Sequence, residues 1–160
     1  MKDRRATLSL LSAALLSPLM GCNAQETPKG FPMKERVVLH LVTYNYLDRP
    51  IHDVFLNKVD IGGGNAFGGS GIITGVTIPL GPQTLTWELG GPRGMARNGE
   101  TVAVKNALIL TADQIPPDAR YIGVHIYPDD TAEFTFSEHF PDTTPRGDEL
   151  IAKGRARHGG

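Results

Sequence analysis

Residues 84–89, TLTWEL, decide the fold class of this chain of 160 residues. Leu85, Trp87 and Leu89 alternate with polar residues, and this period of two places them on one face of a β-strand. Residues 37–46 (VVLHLVTYNY) carry the β-branched and aromatic side chains that strands favour. We therefore predict a strand at each stretch, with Trp87 packed in the core.

Further strand patterns occur along the chain, separated by the Gly, Pro and Asp residues typical of turns. They cover residues 51–56, 71–80, 101–110, 120–127 and 132–137, and no window carries a sustained helical stripe. Seven short strands predict an all-β fold, an antiparallel β-sandwich of the immunoglobulin-like type, over residues 37–140. The pattern ends after Phe140, so residues 141–160 are predicted to form a loosely structured tail with at most a helical turn near residues 149–153.

The chain begins with a positively charged start (KDRR at residues 2–5) followed by the apolar residues 8–20. This order predicts a secretory signal peptide over residues 1–21. The segment ends in LMGC at residues 19–22, which resembles the bacterial lipoprotein box. That resemblance implies cleavage before Cys22 and acylation of its thiol and its new amino group. An ordinary signal peptide with a cysteine nearby is the alternative interpretation.

Lipidation would make Cys22, the single cysteine of the chain, a membrane anchor. One acyl chain binds a membrane marginally, whereas two or more hold a protein stably. The polar residues 22–36, with two prolines, predict a flexible tether after the lipidated cysteine. Asn23 stands where an aspartate often signals retention in the inner membrane, so we expect an outer-membrane lipoprotein that faces the periplasm.

Charge and cysteine content exclude some classes of protein. Without the four charged residues of segment 1–21, 13 Lys and Arg stand against 16 Asp and Glu. This slightly acidic balance argues against nucleic acid as a partner, because its binders carry basic patches. A single cysteine allows no disulfide within the chain, so apolar packing must stabilise the domain.

The glycine-rich residues 62–71 (GGGNAFGGSG) do not form a known catalytic or phosphate loop. A Walker loop requires a lysine after its glycines, and none is present here. A dinucleotide-binding loop requires a helix after it, whereas a strand pattern follows this one. A nucleophile elbow needs glycine two places before and two places after its serine, and Ser70 has Gly68 before it but Ile72 after it. Two interpretations remain: an exposed, flexible connection between strands, or a partner-recognition loop whose distinctive side chains are Asn65 and Phe67.

The titratable residues do not form a catalytic or metal motif. The five histidines, none of them spaced as a zinc-binding pair, are His40, His52, His125, His139 and His158. We predict that His125, between Val124 and Ile126, points away from the core toward solvent. The sequence therefore predicts no metal, no cofactor, no small-molecule substrate and no enzymatic activity.

An acidic segment stands out between residues 113 and 142, with seven carboxylates and Arg120 as its one base. We interpret it as a solvated acidic surface or as a docking face for a basic partner, since complementary charge selects partners. Acid–base catalysis by paired carboxylates is a third interpretation, and it requires two of them close together in a cleft. The residues of this segment chosen as candidates for partner binding are Asp129, Asp130, Glu133 and Glu138.

Several stretches together resemble a family of small bacterial lipoproteins of unassigned domain type. They are YNYLDRPI at residues 44–51, GGGN at 62–65, TWE at 86–88 and IGVHIYPD at 122–129. Members of that family are often encoded beside type VI secretion phospholipase effectors and are regarded as their immunity proteins. Many members carry an adjacent cysteine pair after the glycine loop, where this chain has GIITG at residues 71–75.

The resemblance implies a periplasm-facing lipoprotein that binds and neutralises a phospholipase effector. The alternative is a structural or accessory envelope lipoprotein that binds a resident protein or a glycan and performs no catalysis.

Overall fold

Strand β1 (Arg36–Asn45) lies within the largest of the three sheets that the described residues form. The structure is a computed structural model and describes residues 35–158. The remaining strands, in chain order, are β2 (Ile51–Leu56), β3 (Val59–Asp60), β4 (Gly68–Gly69), β5 (Ile73–Pro79), β6 (Gly81–Gln83), β7 (Leu85–Leu89), β8 (Thr101–Ala103), β9 (Leu108–Leu110), β10 (Tyr121–Ile126) and β11 (Ala132–Ser137). A 3-10 turn covers Ala112–Gln114, and one α-helix, α1, covers Pro145–His158.

The strands form a sandwich-like arrangement, as predicted. Sheet A has the order β11-β10-β1, and both β4 and β5 pair with β1 on its other side. Sheet B has the order β3-β2-β7-β8, and sheet C consists of β6 and β9. The all-β sandwich-like fold is confirmed, whereas the immunoglobulin-like type is not confirmed by this order of strands.

One pairing differs from the purely antiparallel prediction. Strands β1 and β10 run parallel, in register from His40 opposite Tyr121 to Asn45 opposite Ile126. Their partners are far apart in sequence, so local alternation carries no information about the direction of this pairing. The predicted strand at residues 101–110 is also divided into β8 and β9, because the segment between them turns to contact the β10–β11 turn through Lys105.

The main core lies on the inner face of sheet A and against sheet B. Trp87 is fully buried there with Leu85 and Leu89, as their alternation predicted. Leu41 and Ile122 contribute to the same core from β1 and β10. The period of two therefore identified the inward residues of β7 correctly.

A second apolar cluster lies on the outer face of sheet A. It consists of Val42, Tyr44, Tyr46 and Tyr127, against which Leu150 and Ile151 of α1 pack. The prediction of a loose tail over residues 141–160 is therefore wrong for the described part of that segment.

The N-terminus of helix α1 has two features that are typical of helix starts. The Thr144 side chain accepts a hydrogen bond from the Gly147 amide at 3.0 Å, which satisfies a donor at the start of the helix. Pro145 occupies the first helical position, where a missing amide hydrogen costs nothing. The sequence contains no regular apolar stripe here, because part of the contact face is the bare backbone at Gly147 and Gly154, which lies against aromatic rings.

The described residues include no helix that is both long and apolar enough to span a membrane. Cys22, the signal peptide and most of the predicted tether lie outside the described residues.

Candidate partner-binding surfaces

The glycine loop at residues 62–71 is held firmly against sheet A. The buried Asn45 side chain donates hydrogen bonds to the carbonyl oxygens of Arg49 at 2.8 Å and Asn65 at 2.9 Å. Strand β4 pairs with the end of β1, and the Ser70 hydroxyl accepts a hydrogen bond from the Thr43 amide at 2.9 Å. The loop is thus hydrogen-bonded along its length, in contrast to the flexible connection that was one of its two interpretations.

The two candidate side chains of this loop have different surroundings. Asn65 is exposed, beside a glycine-lined hollow that also contains His52. The ring of Phe67 instead lies under helix α1, where any side chain at Gly154 would overlap it. Phe67 therefore contacts α1, and of the pair only Asn65 is exposed.

The two aspartates of the β10–β11 turn are already paired within the chain. Asp130 is only 6% exposed, and its carboxylate lies 2.9 Å from Lys105 Nζ. Asp129 is exposed and lies 2.8 Å from the Arg146 guanidinium on α1. The expectation that Asp130 contributes to a solvated acidic surface is wrong, because its buried carboxylate is enclosed by basic side chains of its own chain.

Glu133 and Glu138 are both exposed. Glu133 accepts a hydrogen bond from the Tyr127 hydroxyl and lines a groove between β9 and β11. Within residues 35–158, Glu138 makes no ion pair and no side-chain hydrogen bond. The four acidic candidates therefore do not form one cluster of free carboxylates: Glu133 lines the groove between β9 and β11, and Asp129 lines a separate hollow beside α1.

A network of aromatic and polar side chains fills the space between sheet A and α1. The His125 ring stacks on Tyr44 with ring centroids 4.8 Å apart. Its Nδ1 lies 2.9 Å from the Tyr46 hydroxyl, and its Nε2 lies 2.8 Å from the Thr135 hydroxyl. His125 is fully buried, so the prediction that it faces solvent is wrong: α1 covers the outer face at this point.

Burial changes the titration of this network. Desolvation lowers the pKa of His125 to about 4, since a charged imidazolium is disfavoured away from water. Burial also raises the pKa of Tyr44 to about 12, with smaller contributions from Tyr46 and Asp142. His125 is neutral near pH 7, and both of its nitrogens are engaged by hydroxyl groups. The network therefore holds α1 on the sheet and leaves the imidazole no position for a substrate.

A part of the outer face beyond α1 is uncovered. Val38 is 63% exposed and Phe140 52% exposed. The Tyr121 ring contacts both Phe140 and His40, with centroid distances of 6.4 Å and 5.2 Å. We call Val38, His40, Tyr121 and Phe140 the aromatic patch. Alternation along β1 places Val38 and His40 on the outer face, but only the position of α1 determines that they remain uncovered.

Among residues 35–158, no group of three or more His, Cys, Asp and Glu side chains is arranged to hold a metal ion. No protein-family model, curated protein or solved structure matches this chain.

Proposed function

We propose that this protein is a lipid-anchored binding protein of the cell envelope, which faces the periplasm and neutralises a type VI secretion phospholipase effector by binding it. A lipid on Cys22 would hold the folded module at the membrane that such an effector attacks. The module would act there by contact and without a catalytic step.

The aromatic patch carries this proposal. Exposed contiguous apolar side chains on a soluble module mark interaction sites more often than scattered ones do. Tyr and Phe contribute a large contact area at low conformational cost, and aromatic side chains are enriched in interfaces between proteins. Val38, His40 and Tyr121 of the patch lie on strands of sheet A, and Phe140 lies in the bend that follows β11.

The polar groups provide a second line of support. His125, Tyr46 and Tyr127 bind one another and the segment before α1, and Asp129 and Asp130 pair with basic side chains. These groups are used to build the module. A function that depends on surface contact suits this distribution of polar groups better than one that depends on proton transfer.

The tether determines where binding is useful. Thirteen residues separate Cys22 from Arg36, the first residue of β1. At about 3.6 Å for each of the steps from Cys22 to Arg36, this stretch spans at most about 50 Å. A lipid on Cys22 would keep the module within that distance of the membrane surface, where a phospholipase acts.

The direct test uses the product of the neighbouring gene, which we expect to be a phospholipase. We expect it to bind the purified chain and to lose lipase activity in the complex. Phe140→Ser should weaken binding about tenfold, which corresponds to about 1.4 kcal/mol, whereas Val59→Ser on sheet B, 46% exposed, serves as a matched control that binds normally. An unchanged lipase rate at saturating chain would contradict the proposal.

A cellular test examines the anchor. We expect Cys22→Ser to leave binding to the purified phospholipase unchanged and to abolish protection of cells exposed to it, because the module is no longer held at the membrane. Equal protection by the untethered variant would contradict the role of the anchor.

A second candidate function is an accessory envelope lipoprotein that binds a glycan. The adjacent rings of Tyr121 and Phe140 favour it, since exposed aromatic rings also stack on sugars. Binding of cell-wall glycan fragments to the chain, with no phospholipase bound, would favour this function over the first.

A further inference from the structure

The open edge of β11 differs from the other long edge of sheet A. In β11, the Ala132 backbone amide donates a hydrogen bond to the Asn106 side-chain oxygen at 2.8 Å. The Ala132 carbonyl oxygen accepts one from the Asn106 side-chain nitrogen at 2.9 Å. The backbone groups of Ala132 therefore point away from β10. Backbone direction alternates along a strand, so those of Phe134 and Phe136 point away from β10 as well.

Asn106 makes the pair of hydrogen bonds that one residue of an added strand would make. Within residues 35–158, no backbone hydrogen bond outside the regular β10–β11 ladder reaches Phe134 or Phe136. The ladder begun by Asn106 thus stops after one residue and leaves two further donor and acceptor pairs unused. On the opposite side of sheet A, β5 ends in Pro79, which has no amide hydrogen to donate.

A groove of about 410 Å³ lies in front of this edge. Its walls are β11 on one side and β9 with its flanking residues on the other, including Leu108 and Ile109, which is 50% exposed. Phe134 and Phe136 pack against the main core and line the groove with apolar surface. The groove therefore offers backbone hydrogen bonds and an apolar wall to one extended chain.

The charge around the groove selects the occupant. Glu133 and Gln114 line it, and Asp113 precedes Gln114. Lys105, the base next to Asn106, is neutralised by the buried Asp130. An extended segment with basic side chains complements this edge better than an acidic one does. The register places Ser137 of β11 opposite Tyr121, so β11 lies between the groove and Tyr121 of the aromatic patch.

We infer that β11 binds an extended segment of the phospholipase by strand addition, with apolar side chains of that segment opposite Phe134 and Phe136 and basic ones near Glu133. This inference rests on the proposed function for the identity of the partner. Main-chain hydrogen bonds supply affinity in this mode of binding, and the alternate side chains supply specificity.

Amide hydrogen exchange, followed by NMR on the full chain with Cys22→Ser, tests the edge directly. In the free chain, Phe134 and Phe136 should exchange rapidly, whereas the Thr135 amide, directed toward β10, should be protected. Adding the phospholipase should slow exchange at Phe134 and Phe136 at least about tenfold. Binding that leaves both amides unchanged would overturn the strand addition and leave the proposed function intact.

Two variants with opposite charge at position 109 test whether the bound segment is basic. We expect Ile109→Lys to bind the phospholipase at least about tenfold more weakly than Ile109→Glu, because it repels a basic segment. Val59→Lys and Val59→Glu, on sheet B, are the matched controls and should bind equally. Equal affinities of the two Ile109 variants would overturn the assignment of a basic segment.

A synthetic peptide separates failure of this inference from failure of the proposed function. If the phospholipase does not bind at all, the proposed function fails, but the peptide Lys-Val-Thr-Val-Thr-Val-Lys still tests the edge. Slower exchange at Phe134 and Phe136 with about 1 mM peptide supports a strand-binding edge. If the peptide does not slow exchange at Phe134 and Phe136, the strand-binding edge is overturned. It is also overturned if these amides in the free chain become more protected as the concentration of the chain rises, because β11 would then pair with a second copy of itself.

Discussion

The outer face of sheet A has two halves, of which one is buried and the other is exposed to solvent. In the covered half, Tyr46, His125 and Tyr127 are buried beneath α1. In the uncovered half, the aromatic patch remains in contact with solvent. Both halves carry aromatic residues and a histidine at outward positions. The difference shows that burial on this face depends on where a distant segment of the chain docks, since outward aromatic residues occur in both halves.

The strongest expected contrast between the halves is the response of the covered half to acid. His125 has a pKa of about 4 in the folded chain and an ordinary value of 6.5 in the unfolded chain. The unfolded state therefore binds the proton more readily between these pH values. Stability is complete above pH 6.5 and falls as the pH drops toward 4, by on the order of 3 kcal/mol in all.

Urea unfolding between pH 4 and pH 7 measures this effect. The groups facing His125 are Tyr44, Tyr46 and Thr135, with Glu133 opposite it in register. His125→Gln should be less stable at pH 7 and should lose most of the pH dependence over this interval. A slope that is the same in the variant would show that other groups cause the acid sensitivity.

The next largest effect concerns the contact between α1 and Tyr46. A side chain at Gly147 would overlap the Tyr46 ring, so Gly147→Ala should destabilise the chain by about 1–3 kcal/mol through overpacking. At an exposed helical position the same exchange is stabilising by about 1 kcal/mol. The matched control is Ala152→Gly at an exposed position of α1, which should cost about 1 kcal/mol. A stabilising Gly147→Ala would mean that α1 does not rest closely on the sheet.

The smallest expected effect is the change in stability when a tyrosine hydroxyl is removed, compared between one tyrosine of each half. The Tyr127 hydroxyl lies 2.6 Å from the Thr144 hydroxyl and also contacts Glu133, so Tyr127→Phe should cost about 1 kcal/mol. Tyr121→Phe in the aromatic patch should change stability by less than about 0.5 kcal/mol. Equal effects in urea unfolding would indicate that the two halves are equally loosely held.

The candidate site is predictable from the sequence only in part. Local sequence singles out Asn65 and Glu133, and both are exposed, one beside the glycine-lined hollow and the other at the groove. The same reasoning singles out Phe67 and Asp130, yet Phe67 supports α1 and Asp130 is buried among bases. Local sequence shows which side chains are distinctive, but it does not show which of them the rest of the chain will use.

The positions of the long strands and their inward residues follow from the sequence alone. Alternation is a property of neighbouring residues, since successive side chains on a strand point to opposite faces. For this reason the alternation of Leu85, Trp87 and Leu89 is enough to assign them to the core. The long predicted strands agree closely with those observed, except where residues 101–110 divide into two.

The parallel pairing of β1 with β10, the helix α1 and the division of the outer face arise only in the folded chain. Short helices gain most of their stability from tertiary packing, and α1 contacts the sheet partly through glycine backbone that leaves no apolar pattern in the sequence. The open edge of β11 is likewise defined only in the folded chain, where β10 pairs with one side of the strand and Asn106 hydrogen-bonds to Ala132 on the other side. These features depend on residues that are far apart in the chain, and local periodicity contains no information about them.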